Sequence, residues 1–256
     1  VELLLGANAA VDHANNSGCT PLNHAAHAGQ EKCVALLLGA RAAVDHASNS
    51  GFTPLNNAAQ KGQDKCVELL LGANAAVDHA NNSGCTPLNS AAYTDQEKCV
   101  ALLLGARAAV DHASINGWTP LNSAAQEGQE KCVELLLGAN AAVDHANNSG
   151  FTPLNSAAAQ GKEKCVELLL GARAAVDLPE NRGWTPLMHV AYRGQETCVE
   201  VLLGARAVVD HANNNGSTPL NFAAHQDQEK CVELLLGARA AVDHGMTDGA
   251  TSLFLA

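Results

Sequence analysis

The sequence predicts an all-α solenoid of stacked helix-turn-helix units joined by short β-hairpin-like fingers. Three observations carry this reading. Thr-Pro-Leu recurs with its Thr at Thr20, Thr53, Thr86, Thr119, Thr152, Thr185 and Thr218, each step being 33 residues (53 − 20 = 33), and Thr251-Ser252-Leu253 continues the series in degenerate form. Each anchor opens a segment with apolar residues at helical spacing, and a second, Leu-Leu-Leu segment follows it. Neither segment is long enough to bury a core alone, so neighbouring units must stack and share one.

The unit 48–80 shows how each element arises. Thr53 before Pro54 is a helix start, because the Thr oxygen accepts from an orphan N–H of the first turn and Pro has no N–H to lose. Leu55, Ala58 and Ala59 then share one face, and Gly62 ends a helix of about two turns. In the second helix Cys66, Val67, Leu70 and Leu71 form the apolar stripe, while Gln63, Asp64, Lys65 and Glu68 are left for solvent. From Ala75 to Gly84 the chain places Val77 in an extended segment and closes with an Asn/Ser/Gly turn, which makes a finger leading to the next helix pair. The chain is thereby divided into a partial repeat 1–14, repeats 15–47, 48–80, 81–113, 114–146, 147–179, 180–212 and 213–245, and a partial repeat 246–256.

A longer period lies on the first. The residue after Leu-Leu-Leu-Gly-Ala alternates as Asn8, Arg41, Asn74, Arg107 and Asn140, and the finger turn opens in step with Asn15, Ser48, Asn81, Ser114 and Asn147. The duplicated unit was therefore a pair of repeats, 66 residues long (81 − 15 = 66). The alternation stops at Arg173, Arg206 and Arg239, and divergence is greatest between Leu178 and Val209.

A 33-residue unit with Gly-x-Thr-Pro-Leu-x-x-Ala-Ala, a Gly turn, a Leu-rich second helix and a Val-Asp finger resembles the ankyrin repeat, over essentially the whole chain. The resemblance implies a non-enzymatic protein-interaction array, an adaptor or a recognition segment of a larger protein. Its partner protein, which could belong to a large complex, would dock on the concave face made by the fingers and the first helices. Two departures stand out. The family places His after Thr-Pro-Leu, where this chain has Asn23, Asn56, Asn89, Asn122, Asn155, Met188 and Asn221. It places Gly after the second helix, where this chain has Asn74 or Arg107, and Asn accepts left-handed backbone more readily than Arg.

Composition narrows the function. The formal charge is 15 − 26 = −11, and no basic cluster is present to release counterions from phosphate, which argues against nucleic acid. No apolar run approaches the length of a membrane span, so membrane insertion is not expected. Seven of the nine Cys, namely Cys33, Cys66, Cys99, Cys132, Cys165, Cys198 and Cys231, share one position on the second-helix stripe, and Cys19 and Cys85 lie in turns. Stacked helices stand roughly 8–10 Å apart and a disulfide needs Cα atoms within about 7 Å, so buried free thiols are expected. Such thiols suit an intracellular, reducing compartment, above all the cytoplasm.

A second ladder comprises His13, His46, His79, His112, His145, His211 and His244, each after the finger Asp. Metal ligands must converge to within about 2.0–2.3 Å of one ion and a nucleophile needs one singular site, so a ladder at repeat spacing predicts neither. No catalytic residue, metal or cofactor is expected. Protonation of all 11 His near a pKa of about 6.5 would cancel the charge, −11 + 11 = 0. Asn15, Asn81 and Asn147 match a glycosylation sequon but read as turn chemistry.

What varies between units points to recognition. Six of the eight aromatics fall at two positions, the finger base (Phe52, Trp118, Phe151, Trp184) and the end of the first helix (Tyr93, Tyr192). With Arg193 these form the expected partner-binding set, since aromatics and Arg are enriched at interfaces and a core of Ala and Leu has no need of them. The competing reading is that the finger-base rings pack on their neighbours and add only stability. Arg182 and Arg193 give that end a positive character suited to an apolar patch edged by carboxylates. The second functional reading is a structural or scaffolding subunit held along its length in a large assembly. The chain opens on Val1-Glu2-Leu3-Leu4-Leu5 and stops at Leu253-Phe254-Leu255-Ala256 without polar terminal repeats, and is expected to belong to a longer array.

Overall fold

Every Thr-Pro-Leu anchor starts a helix in the computed structural model, which describes residues 1–247 and 249–255. Asp248 and Ala256, both in the partial repeat expected over 246–256, lie outside the described residues. The helices are α1 (Glu2–Gly6), α2 (Pro21–His27), α3 (Glu31–Gly39), α4 (Pro54–Gln60), α5 (Asp64–Gly72), α6 (Pro87–Tyr93), α7 (Glu97–Gly105) and α8 (Pro120–Glu127). There follow α9 (Glu130–Gly138), α10 (Pro153–Gln160), α11 (Glu163–Gly171), α12 (Pro186–Arg193), α13 (Glu196–Gly204), α14 (Pro219–His225), α15 (Glu229–Gly237) and α16 (Ser252–Leu255). No strand occurs among the described residues, and no helix there is long and apolar enough to cross a membrane.

The starts are set by reciprocal caps. Thr20 Oγ1 accepts from the Asn23 N–H at 3.3 Å, and Asn23 Oδ1 accepts from the Thr20 N–H at 2.9 Å. This satisfies orphan donors at the head of α2. The pattern repeats at Thr53/Asn56, Thr86/Asn89 and Thr218/Asn221. The Asn that departs from the family pattern has a second task. Asn23 Nδ2 donates to the carbonyls of His46 (3.2 Å) and Phe52 (3.1 Å), so one buried amide caps its own helix and pins the next finger.

On α4 the predicted face holds, with Leu55, Ala58 and Ala59 fully buried. The stripe of α5 is narrower than expected. Cys66, Val67 and Leu70 are buried, but Leu71, a further 100° around the helix, is only half-buried. Asp64 is not simply left to solvent either, because its Oδ1 accepts from the Cys99 thiol at 3.2 Å. Lys65 and Glu68 form an exposed ion pair at 2.6 Å.

The fingers correct the expectation of an extended Val. Val77 and Asp78 are the central residues of a tight turn closed by the His79 N–H donating to the Ala76 carbonyl at 3.2 Å. Asp45, one unit earlier, accepts from the Ala76 N–H at 2.9 Å, which ties successive turns together. A second turn follows, in which the Gly84 N–H donates to the Asn81 carbonyl and the Asn81 N–H to the Cys85 carbonyl. Asn81 Oδ1 accepts from the N–H groups of Ser83 (2.9 Å) and Cys85 (3.1 Å), so this sequon Asn does the turn chemistry the sequence implies.

Arg and Asn end the second helices in the same way. Asn74 has φ 62° and Arg41 has φ 62°, with Arg107, Arg173, Arg206 and Arg239 also left-handed. Around Arg41 the Ala42 N–H donates to Leu37 and the Arg41 N–H to Leu38, which is a Schellman termination. Because a side chain is strained there and Gly is not, Arg41→Gly is expected to stabilise the chain by about 0.5–1 kcal/mol. A urea midpoint that falls or stays put at unchanged m would contradict this.

The chain forms two compact units, Val1–Pro120 with Glu134–Ala141, and Leu121–Val133 with Ala142–Ala256. In the first, α2, α4 and α6 pack side by side, and α3, α5 and α7 pack behind them. Its core is built on Leu22, Leu55 and Leu88, with paired Ala letting the first helices approach closely. In the second, α10, α12, α14 and α16 form one row and α11, α13 and α15 the other, around Leu154, Leu187 and Leu220.

Candidate functional site

The finger-base rings of the first unit are placed by the buried amides. The Phe52 carbonyl is held by Asn23, and the Trp118 carbonyl accepts from Asn89 Nδ2 at 3.2 Å. Their N–H groups donate to Ser48 Oγ (3.2 Å) and Ser114 Oγ (3.1 Å), so the Ser of the 66-residue period does the work of Asn in these turns. Phe52 and Trp118 are half-buried, and Tyr93, at the end of α6, is 51% exposed. Among the described residues no ring pair joins Phe52 or Trp118 to another aromatic.

In the second unit the rings converge. Phe151 lies 5.3 Å from His189 between centroids, and His189 lies 5.2 Å from Trp184. Trp184 is the hub, 4.1 Å from Phe222 and 5.5 Å, edge-on, from Tyr192. Tyr192 in turn meets Phe222 edge-on at 6.1 Å. Such geometries add about 0.5–1.5 kcal/mol per pair beyond area burial. The finger base thus packs on the helix that follows it, α12, and on α14. Tyr192 remains 39% exposed and Arg193 is exposed beside it.

Trp184 is held by a local substitution. Glu180 occupies the place that Asn147 and Asn213 hold in their turns, and its Oε1 accepts from the Trp184 N–H at 3.4 Å. Glu180 is only 5% exposed, and Arg182 Nε, 3.3 Å away, balances its carboxylate. The same guanidinium lies 5.3 Å from the Trp184 ring centroid, a cation–π distance.

The sequence reading missed His189 and Phe222. They share one repeat position (222 − 189 = 33), held elsewhere by His24, Asn57, Ser90, Ser123 and Ser156. The change from Ser to His to Phe beside Phe151 and Trp184 was the available signal. His189 is 7% exposed and its Nε2 has no hydrogen-bond partner. Burial, then the charges of Arg182 and Arg193, lower its pKa to about 4. Protonation of all 11 His in a mildly acidic medium is therefore corrected, since His189 stays neutral there.

Beside Trp184 and Phe222 opens a cleft of about 370 Å³, lined also by Asn181, Arg182, Asn213, Asn214, Asn215 and Ser217. Elsewhere all nine Cys are free, and on the second helices Cys66, Cys99, Cys132, Cys165, Cys198 and Cys231 are buried. Cys33 departs from that ladder and is half-buried; it lies on α3, which follows the short α1, none of whose residues is buried. Burial raises the Cys165 and Cys198 thiols to about 11. It also raises Cys99, with the Asp64 carboxylate adding to the effect. These thiols are held in the protonated form, the opposite of what a nucleophile requires.

Comparison with known proteins fits this architecture. The family model described as Ankyrin repeats (3 copies) matches residues 1–79, 46–114, 106–178 and 172–248. A search of curated proteins returns no match. The chain is similar to the crystal structure of the human ASB11 ankyrin repeat domain, with a TM-score of 0.79 and 26% identity over 87% of this chain and 99% of that one. With Thr-Pro caps, left-handed helix ends and paired turns recurring along nearly all of its length, and a family model matched from residue 1 to residue 248, the chain belongs to the ankyrin-repeat family.

Proposed function

We propose that the chain is a non-enzymatic adaptor or recognition segment that binds a partner protein through Phe52, Tyr93, Trp118, Phe151, Trp184, Tyr192 and Arg193. Ankyrin repeats are in general protein–protein interaction modules. The observation that carries the finer reading is the aromatic cluster of the second unit. Its rings gather on one surface instead of filling the Ala/Leu core, and Tyr192 stays partly open to solvent. Large rigid rings of this kind act as interface anchors at small entropic cost. The free thiols support a reducing compartment.

The test is capture of partners from native extract by the chain, by the Trp118→Ala/Trp184→Ala double variant and by Glu68→Ala on the exposed side of α5. The double variant is expected to lose its partners, by about 2 kcal/mol or more per central ring, while Glu68→Ala keeps them. A folded double variant that keeps every partner while Glu68→Ala loses them would replace this reading with that of a scaffolding subunit contacted along its second helices.

A further inference from the structure

The alternation of Asn and Arg after the second helices stops in the second unit, where Arg follows Arg. Arg173, Arg206 and Arg239 lie just past the ends of α11, α13 and α15, helices that pack side by side, so the three stand in a row at steps of roughly 8–10 Å. In the first unit Arg41 and Arg107 are two steps apart, with Asn74 between them. All three Arg of the row are exposed. Among the described residues none of the three enters an ion pair, a side-chain hydrogen bond or a ring contact.

The fold does not ask for Arg at these positions. Asn74 ends α5 at φ 62°, close to the 67°, 66° and 68° of Arg173, Arg206 and Arg239, and Asn accepts left-handed backbone more readily. A cation gains a little from the negative end of a helix, but the gain is small at an exposed site and α9 ends on Asn140 without it. Strain kept with no internal contact to offset it points to a use outside the chain. The chain's own carboxylates do not claim the row. Asp177 and Asp210, the nearest in the fingers, accept from the N–H groups of Val208 (3.0 Å) and Ala241 (2.9 Å). What surrounds the row selects its occupant. Glu167, Glu200 and Glu233 lie on the same three helices, and three cations among them are too few to hold the closely spaced phosphates of a nucleic acid. Val208, 51% exposed two residues after Arg206, replaces the Ala175 and Ala241 of the neighbouring units and offers an apolar contact that suits a protein.

We propose that the ends of α11, α13 and α15 form a second docking edge, which takes an acidic helix of a partner protein whose successive carboxylates meet Arg173, Arg206 and Arg239. Carboxylates at every seventh residue of a helix share one face and lie about 10.5 Å apart, near the step of the row. In a β-strand the same separation needs three residues, which face opposite ways. The edge does not involve the aromatic surface and stands independently of it.

The probe is a synthetic Ala-rich helical peptide with Glu at every seventh residue, titrated against the full chain by fluorescence polarisation at low and high salt. It is compared with the same peptide carrying Lys for Glu, with one whose Glu are spread over different faces, and with a short duplex DNA. The Glu-face peptide should bind best and weaken with salt. Arg173→Asn/Arg206→Asn/Arg239→Asn should weaken it about tenfold or more, with a urea midpoint that holds or rises, since Asn already ends α5 in the same geometry. Arg41→Asn/Arg107→Asn/Lys65→Gln, an equal charge change in the first unit, should leave it bound. So should Trp118→Ala/Trp184→Ala, which makes failure of the edge and failure of the aromatic surface separate results. No binding of the Glu-face peptide, equal binding of the Lys or spread-Glu peptide, tighter binding of duplex DNA, or indifference to the triple Asn variant would overturn the proposal.

Discussion

The unfolding free energy is expected to hold steady up to about pH 9 and then to fall toward pH 11, by about 2–3 kcal/mol per pH unit from Cys165 and Cys198 alone. Cys165 and Cys198, 1% and 2% exposed, have folded pKa values of about 11 against an ordinary 9.0. The cause is chiefly desolvation, with Glu130 acting on Cys165 and Glu163 on Cys198. Above pH 9 the unfolded chain releases these protons while the folded chain keeps them, so the unfolded state binds fewer and is favoured as pH rises. Stability is fully present below the unfolded value and is lost as pH approaches the folded one. Each thiol contributes a slope of about 1.4 kcal/mol per pH unit. Cys66, Cys99 and Cys231 are shifted the same way and steepen the fall.

Repeat arrays can unfold in parts, so a local probe is needed. With Trp118→Phe, Trp184 alone reports by fluorescence on urea unfolding of its neighbourhood under reducing conditions. Cys165→Ala/Cys198→Ala should start less stable, because two small cavities are made, yet lose the part of the alkaline slope, about 2–3 kcal/mol per pH unit, that these two thiols supply. An unchanged slope would mean that the buried thiols are not its source.

Much of this architecture was legible because it is local chemistry written seven times over. A Thr before Pro is a cap wherever it stands, and Leu55, Ala58 and Ala59 lie on one face by helix geometry alone. The turn at Val77 was not legible, because the partner that fixes each finger turn is distant. The Asp45 carboxylate that holds Ala76 lies 31 residues earlier, and no window along the chain brings the two together. The left-handed Arg41 shows tertiary packing and two helix-terminating hydrogen bonds overriding intrinsic preference. The aromatic surface was half legible. Finger-base and helix-end positions announced themselves by variation, whereas His189 and Phe222 sit where Ser is the usual residue, and their role appears only once Trp184 reaches across to α14.

Acid should destabilise the same surface through His189, by about 3 kcal/mol between about pH 6.5 and pH 4. The imidazole is 7% exposed among Phe151 and Trp184, and its pKa is lowered from 6.5 to about 4 by burial first, then by Arg182 and Arg193. It is therefore neutral when folded. As pH falls below 6.5 the unfolded imidazole takes up a proton that the folded one refuses, so stability is fully present above the unfolded value and is lost as pH drops toward 4. A shift of this size corresponds to about 1.4 kcal/mol per pH unit. His189→Phe is the decisive variant. It keeps a ring against Phe151 and Trp184, as Phe222 does at the same repeat position, and removes the titration. The acid slope should flatten without a large loss of stability at neutral pH. Arg193→Gln removes one of the two charges that oppose protonation, so the His189 resonance should titrate at a higher pH by NMR and the acid loss should shrink. An imidazole that titrates near 6.5 in the folded chain, or an acid slope that survives His189→Phe, would show that this residue is neither dry nor charge-opposed.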